Sequence, residues 1–113
     1  MTPQLPFKLM TVQELARRMV AGERVYLLDV RQPAEHALAA LPDSQLVPLN
    51  DLADRIAEVK PPAGVPVVVY CHHGVRSQHG AMALVQNGHS EVYSLHGGID
   101  AWSLEVDPNV PRY

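Results

Sequence analysis

The 113 residues include a single cysteine, Cys71. That scarcity excludes an internal disulfide and any zinc site built from several cysteines, leaving either a buried apolar thiol or a reactive one. Positive charge is not in excess: 9 Lys and Arg stand against 12 Asp and Glu, for a net charge of -3. The chain therefore lacks the basic field on which non-specific nucleic-acid binding relies, and no nucleic-acid partner is expected. Long apolar runs are missing too. The stretch Val65 to Tyr70, interrupted by Pro66, is far shorter than the ~20 residues of a membrane-spanning helix. Met1 to Met10 has no charged region followed by an apolar one, so no signal peptide is read there and a soluble, cytoplasmic protein with no membrane partner is expected.

What is present fits one globular domain. With 47% hydrophobic and 19% charged residues, the chain can build one core. The domain is expected over residues 1–113, with its core at about 9–102 and a tail at 103–113. Thr11 and Glu14 have the spacing of a capping box, and Val12, Leu15, Met19 and Val20 share one face of the helix that follows. Gly22 is its natural stop. Val25 to Val30 reads as a strand buried on both faces, as in a parallel sheet, and Leu46 to Leu49 as a shorter strand. Asn50 is placed to cap a helix turning Leu52, Ile56 and Val59 inward, which Pro61-Pro62 would end. Val67 to Tyr70 reads as the central strand. A helix carrying Met82, Leu84 and Val85 follows Arg76 and closes at Gly88. Val92 to Leu95 is a further short strand, and His96-Gly97-Gly98 turns into a last helix with Ile99, Ala101 and Trp102. Such alternation predicts an α/β domain, in which sites form beyond the carboxyl ends of the strands.

Cys71 stands where the strongest strand ends, and His72-His73-Gly74-Val75-Arg76-Ser77 leads from it into a helix. A thiol there meets the positive end of a helix dipole and unpaired amides, which favour an anionic sulfur. Arg76 adds a cation to the loop, and Gly74 permits tight curvature with the amides turned inward. The expected product is a cradle for a thiolate, a persulfide or a sulfur oxyanion. Taken alone, a cysteine and an arginine at this spacing are more often an inert strand-end thiol and a solvated helix-start residue, and it is the order of strand, glycine loop and helix that favours the reactive reading.

The segment Cys71-His72-His73-Gly74-Val75-Arg76 resembles the active-site loop of single-domain rhodaneses. Leu27-Leu28-Asp29-Val30-Arg31, with Pro33 and Glu35, is similar to that family's acidic-basic motif, and Leu95-His96-Gly97-Gly98-Ile99-Asp100-Ala101-Trp102 to its closing glycine-tryptophan motif. The similarity runs from about Leu9 to Trp102. Where the family commonly has an aromatic after the Glu35 position and a His-Ile-Pro-Gly run, this chain has His36 and Ala40-Leu41-Pro42-Asp43. The ending Val106 to Tyr113 is similar to rhodanese domains associated with activating enzymes of sulfur-carrier pathways.

The resemblance implies a rhodanese-like α/β fold, a five-stranded, mostly parallel sheet flanked by helices on both faces. It further implies a sulfurtransferase that carries sulfane sulfur from a small anionic donor such as thiosulfate, through a Cys71 persulfide, to cyanide, a thiol or a protein acceptor. Cys71 and Arg76 would be catalytic, with His72, His73, Gly74, Val75, Ser77 and Arg31 touching substrate. Arg31 has a second reading as a structural partner of Glu35 or Asp29. Asp29 is expected to order the neighbouring loops, and Trp102 and Met82 to belong to the core. His72 and His73 are adjacent, so their side chains are expected to diverge. Consecutive histidines seldom chelate one ion, and neither metal nor cofactor is expected. The rival readings are a non-catalytic binding module on the same fold and a cysteine phosphatase or arsenate reductase. Against the latter, only four residues separate Cys71 from Arg76, fewer than the related phosphatases place there.

Overall fold

The computed structural model describes residues 5–113, so the part of the signal-peptide reading that falls on Met1 to Gln4 lies outside the described residues. Five strands form one sheet: β1 (Lys8–Met10), β2 (Tyr26–Asp29), β3 (Gln45–Leu46), β4 (Val67–Tyr70) and β5 (Val92–Leu95). Their order is β1-β5-β4-β2-β3, and every pairing is parallel. Four α-helices accompany them: α1 (Val12–Val20), α2 (Pro33–Leu38), α3 (Arg76–Gln86) and α4 (Gly98–Glu105).

β4 is central because all four of its residues are apolar or aromatic and all are buried. Its pleat divides them between two cores. Val67, Val69 and then Cys71 join Ala81 and Leu84 of α3, with Leu52 and Val59, on one face. Val68 and Tyr70 join Val12 and Leu15 of α1 and Ile99 and Trp102 of α4 on the other. The sheet is thus flanked by helices on both faces, and Trp102 is core, while Met82 is a partly buried neighbour of the first cluster.

Some local readings change. β1 was not foreseen: three residues with two exposed side chains give little periodic signal. The helix expected after Asn50 is instead two 3-10 turns, Leu49–Asp51 and Ile56–Glu58. Asn50, Asp51 and Asp54 are weak helix formers, and short turns suffice to bury Leu52 and Val59. The strand expected over Leu46 to Leu49 is Gln45–Leu46 alone: the Val47 amide still donates to the Asp29 carbonyl at 2.9 Å, but Pro48, which has no N–H to give the ladder, comes next and leads into the first of those turns. The Glu14 amide donates to Thr11 Oγ1 at 3.1 Å, as a cap requires, but the Glu14 carboxylate turns to Arg17 and Arg18. Val20, expected inward, is 90% exposed, since α1 ends there and in its last turn it is Met19 that packs against the second core. At the other end, α4 continues to Glu105 and Val106 and Val110 pack on the second core, so the closing segment is anchored.

The topology creates the site. From β2 the chain moves to β3 on one side, whereas from β4 it moves to β5 on the other. A crevice opens where adjacent strands send their connections in opposite directions. Arg31 follows β2 and Cys71 follows β4, and the Val30 amide donates to the Tyr70 carbonyl at 3.1 Å, keeping the two strand ends together.

The two faces of α1 predict a contrast. Leu15→Ala, at a fully buried position, is expected to cost about 2–4 kcal/mol, and Val20→Ala less than about 0.5 kcal/mol. Urea unfolding of the two variants measures the difference.

Candidate active site

The peptide groups leaving β4 are gripped from outside. The Cys71 carbonyl accepts from the Ile99 amide at 2.9 Å and the His72 carbonyl from the Asp100 amide at 3.1 Å, both at the N-terminus of α4. Gly98 makes this approach possible. It has φ +61, and a Cβ there would lie 2.4 Å from the Cys71 carbonyl oxygen and 2.5 Å from that of His72.

With those carbonyls turned outward, amides turn inward. Cys71 Sγ accepts from the Gly74 N–H at 3.1 Å and the Ser77 N–H at 3.3 Å. Ser77 lies in the first turn of α3, whose cap residue Val75 supplies no side-chain cap. The sulfur itself therefore satisfies one of the free amides at that helix end. Gly74 takes φ +103, which the tight loop requires. The Ser77 hydroxyl is directed away, to the buried Ser94 hydroxyl on β5 at 2.7 Å, so Ser77 offers the sulfur its backbone and not its side chain. Cys71 is 1% exposed, whereas Val75 at the tip of the loop is 67% exposed.

Arg76 is not the unshared cation that the sequence suggests. Its guanidinium makes a bidentate pair with Glu35 of α2, Nη1 to Oε1 at 2.7 Å and Nη2 to Oε2 at 2.9 Å. This pair holds the Glu35 carboxyl down to about 2, assisted by the Gln32 amide and the Tyr113 hydroxyl against the opposing effect of burial. Glu35 is well placed because its carboxylate also accepts from the Gln32 amide and so fixes the start of α2.

Arg31 is wholly buried and pairs with Asp29, not with Glu35: Nε reaches Oδ1 at 2.9 Å and Nη2 reaches Oδ2 at 2.7 Å. Burial opposes its charge, but the bonds to Asp29 and Tyr113 outweigh that and raise its pKa. Asp29 orders the neighbouring loop, accepting also from the Arg31 amide and meeting His36 Nδ1 at 2.8 Å. His36, where the family commonly has an aromatic, thus has a polar role. In the departing segment that follows, the Leu41 amide donates to the Tyr70 hydroxyl, and Asp43 adopts φ +56.

His72 and His73 do not diverge; their rings stack at 3.9 Å. Tyr113 stacks on the other side of His72, with centroids 4.0 Å apart and planes within 11°. A bent loop backbone and a third ring hold the two imidazoles together. Burial, then the neighbouring His73, lowers the His72 pKa and favours its neutral form, while the more exposed His73 lies 3.8 Å from Asp100. The roles of Glu35 and Tyr113 at the site were not read from the sequence. Among the described residues no cluster of His, Cys, Asp and Glu has the geometry of a metal site, and no helix is long and apolar enough to cross a membrane.

The family model described as Rhodanese-like domain matches residues 11–105. The chain belongs to the rhodanese-like family. A protein named Sulfurtransferase from Allochromatium vinosum is 37% identical over 98 residues, covering 87% of this chain and 90% of the relative. Thiosulfate sulfurtransferase GlpE of Pseudoalteromonas translucida is 31% identical, covering 80% of this chain and 84% of that protein. A probable adenylyltransferase/sulfurtransferase, MoeZ of Mycobacterium tuberculosis, is 32% identical over 91% of this chain, which spans only 26% of that longer protein. The crystal structure of a rhodanese-like domain protein from Staphylococcus aureus superimposes with a TM-score of 0.78 at 25% identity, covering 95% of this chain and 99% of the other. These relatives support sulfur transfer as the general activity of this rhodanese-like chain.

The Glu35–Arg76 pair carries a pH signature. A carboxyl lowered on folding stabilises the fold above its unfolded value of 4.5, and that contribution is lost as pH falls toward about 2. After allowance for partial exposure, on the order of 2 kcal/mol is expected to disappear across that window. Glu35→Gln should flatten the acid limb of a stability-against-pH curve there. Gly98→Ala should cost at least ~2 kcal/mol and slow Cys71 alkylation, as measured by unfolding and thiol-labelling rates.

Proposed function

We propose that the protein is a thiosulfate sulfurtransferase that works through a persulfide on Cys71. The observation that carries this reading is the thiol set within two inward amides, those of Gly74 and Ser77. The name of the GlpE relative adds support for thiosulfate as donor.

In the first step the Cys71 thiolate attacks the outer sulfur of thiosulfate. The new Sγ–S bond forms as the S–SO₃ bond breaks, and its electron pair leaves with sulfite. In the second, cyanide or a thiolate attacks the terminal sulfur, the Sγ–S bond breaks, and the Cys71 thiolate returns. Negative charge rests on sulfur at both ends of the cycle, and inward amides stabilise it at every stage without having to reorganise. The backbone amides of Gly74 and Ser77 serve the sulfur, His72, His73 and Val75 border the incoming donor, and Arg76 together with Glu35 fixes the end of the loop. Arg31 acts from beneath, by holding the end of β2 and the ring of Tyr113.

The whole chain acts as one domain in this reading. Its cellular acceptor belongs to a sulfur-carrier pathway, a reading that the MoeZ relative favours. The shortness of the loop, with four residues between Cys71 and Arg76, argues against a phosphatase, which must surround a larger tetrahedral ester.

Incubation with thiosulfate followed by intact-mass measurement should add the mass of one sulfur atom to the protein, and later cyanide should remove it. Cys71→Ser is expected to abolish both changes, with turnover down at least ~10³-fold. An unmodified wild-type chain, or turnover of an aryl phosphate in place of thiosulfate, would overturn the assignment.

A further inference from the structure

Tyr113 lies far in sequence from every other residue of the site, yet it touches three of them. Its ring stacks on His72, and its hydroxyl donates to Glu35 Oε2 at 2.8 Å while accepting from Arg31 Nη1 at 2.7 Å. His72 is the first residue after Cys71, and Glu35 clamps Arg76 at the far end of the loop. Tyr113 therefore spans the mouth of the cysteine loop from one end to the other.

The contact is anchored from several sides. Arg31 lies between two aromatic rings, 5.4 Å from the Tyr70 centroid and 5.7 Å from that of Tyr113. Arg112 pairs with Asp100 Oδ1 at 3.0 Å, and Asp100 is the residue whose amide holds the His72 carbonyl. Val106 and Val110 fix the start of the segment to the second core. Burial and the Glu35 carboxylate push the Tyr113 hydroxyl up to about 12 against the pull of Arg31, so it stays a neutral donor at working pH.

We propose that Tyr113 is a specificity-determining residue of this site: its ring is the wall that screens large sulfur acceptors from Cys71 while leaving room for small ones. The role deepens the sulfurtransferase reading and rests on it for the nature of the cargo. A flat ring stacked on His72 narrows the approach along the loop. Its two-point hydroxyl anchor makes that narrowing costly to undo, because displacement would leave a buried guanidinium edge without its acceptor.

The test compares the wild-type chain with Tyr113→Ala and Tyr113→Phe. Cys71 is alkylated by iodoacetamide and by a bulky pyrenyl maleimide, and the thiosulfate-loaded persulfide is discharged to cyanide and to glutathione. The large-to-small rate ratio is expected to rise at least about fivefold in Tyr113→Ala and to stay within about twofold of wild type in Tyr113→Phe, whose ring can still stack. Leu15→Ala, destabilised far from the site, reports what partial unfolding does to the ratio and is expected to leave it near wild type. An unchanged ratio in Tyr113→Ala, or an equal rise in Leu15→Ala, would overturn the proposal. A wild-type chain that takes no sulfur from thiosulfate would defeat the functional reading instead, while the alkylation ratio would still decide the role of Tyr113.

Discussion

The orientation of two peptide groups, Cys71–His72 and His72–His73, governs the rest of the site. A peptide carries its N–H and C=O on opposite edges, so binding both carbonyls to the amides of Ile99 and Asp100 commits the loop to a curve with its later amides inside. Neither the cysteine nor the arginine imposes that curve. It comes from the start of α4, which can come so close only because position 98 has no Cβ. The closing glycine motif and the cysteine loop, well separated in sequence, are two halves of one construction.

Charge is treated differently from what a cationic loop would suggest. Unit charges 4 Å apart interact by about 4 kcal/mol at an effective dielectric of 20, so an unshared Arg76 would strongly attract an anion. Instead each arginine near the loop has its own carboxylate, Arg76 with Glu35 and Arg31 with Asp29. What remains to face the sulfur is the backbone, whose dipoles are fixed by the fold and cost nothing to orient. The buried Asp29–Arg31 pair is better understood as a specifier of geometry than as a source of stability, since desolvation offsets much of its attraction.

Legibility in the sequence followed burial. β4 could be read at once because Val67 to Tyr70 is buried on both faces, and its end located Cys71 without further information. Leu15, Leu84 and Trp102 sat on apolar periods and proved to be core. The 3-10 turns after Leu49 and the short β1 were not legible, because three-residue elements are shaped by tertiary contacts more than by local pattern. Asp29, two residues from Arg31, was within reach of a local reading as its partner, whereas the distant partners of the arginines were missed for a related reason. Arg76 to Glu35 and Arg31 to Tyr113 are separated by 41 and 82 residues, and no local period relates residues so far apart. Adjacency misled in the opposite sense for His72 and His73, whose stacking depends on a loop bend and on the third ring, Tyr113, that the sequence places at a distance.

The burial of Cys71 bears on what such a cradle can hold. Two of its amides are already engaged by Sγ at 3.1 and 3.3 Å, so in the proposed persulfide the outer sulfur would lie farther from the strand end, toward the loop mouth. There it would meet the rim formed by His72 and Tyr113 and the side of the Glu35–Arg76 pair. The fold fixes the inner sulfur through backbone geometry, which leaves little freedom for side chains to alter it. The outer sulfur of the proposed persulfide would be bordered by side chains, of which Tyr113 and Glu35 stand outside the loop and can be changed without altering its sequence. On the proposed reading, chemistry and selectivity would be divided between two layers of the same site, the first set by Gly98 and α4 and the second by the residues that close over the mouth.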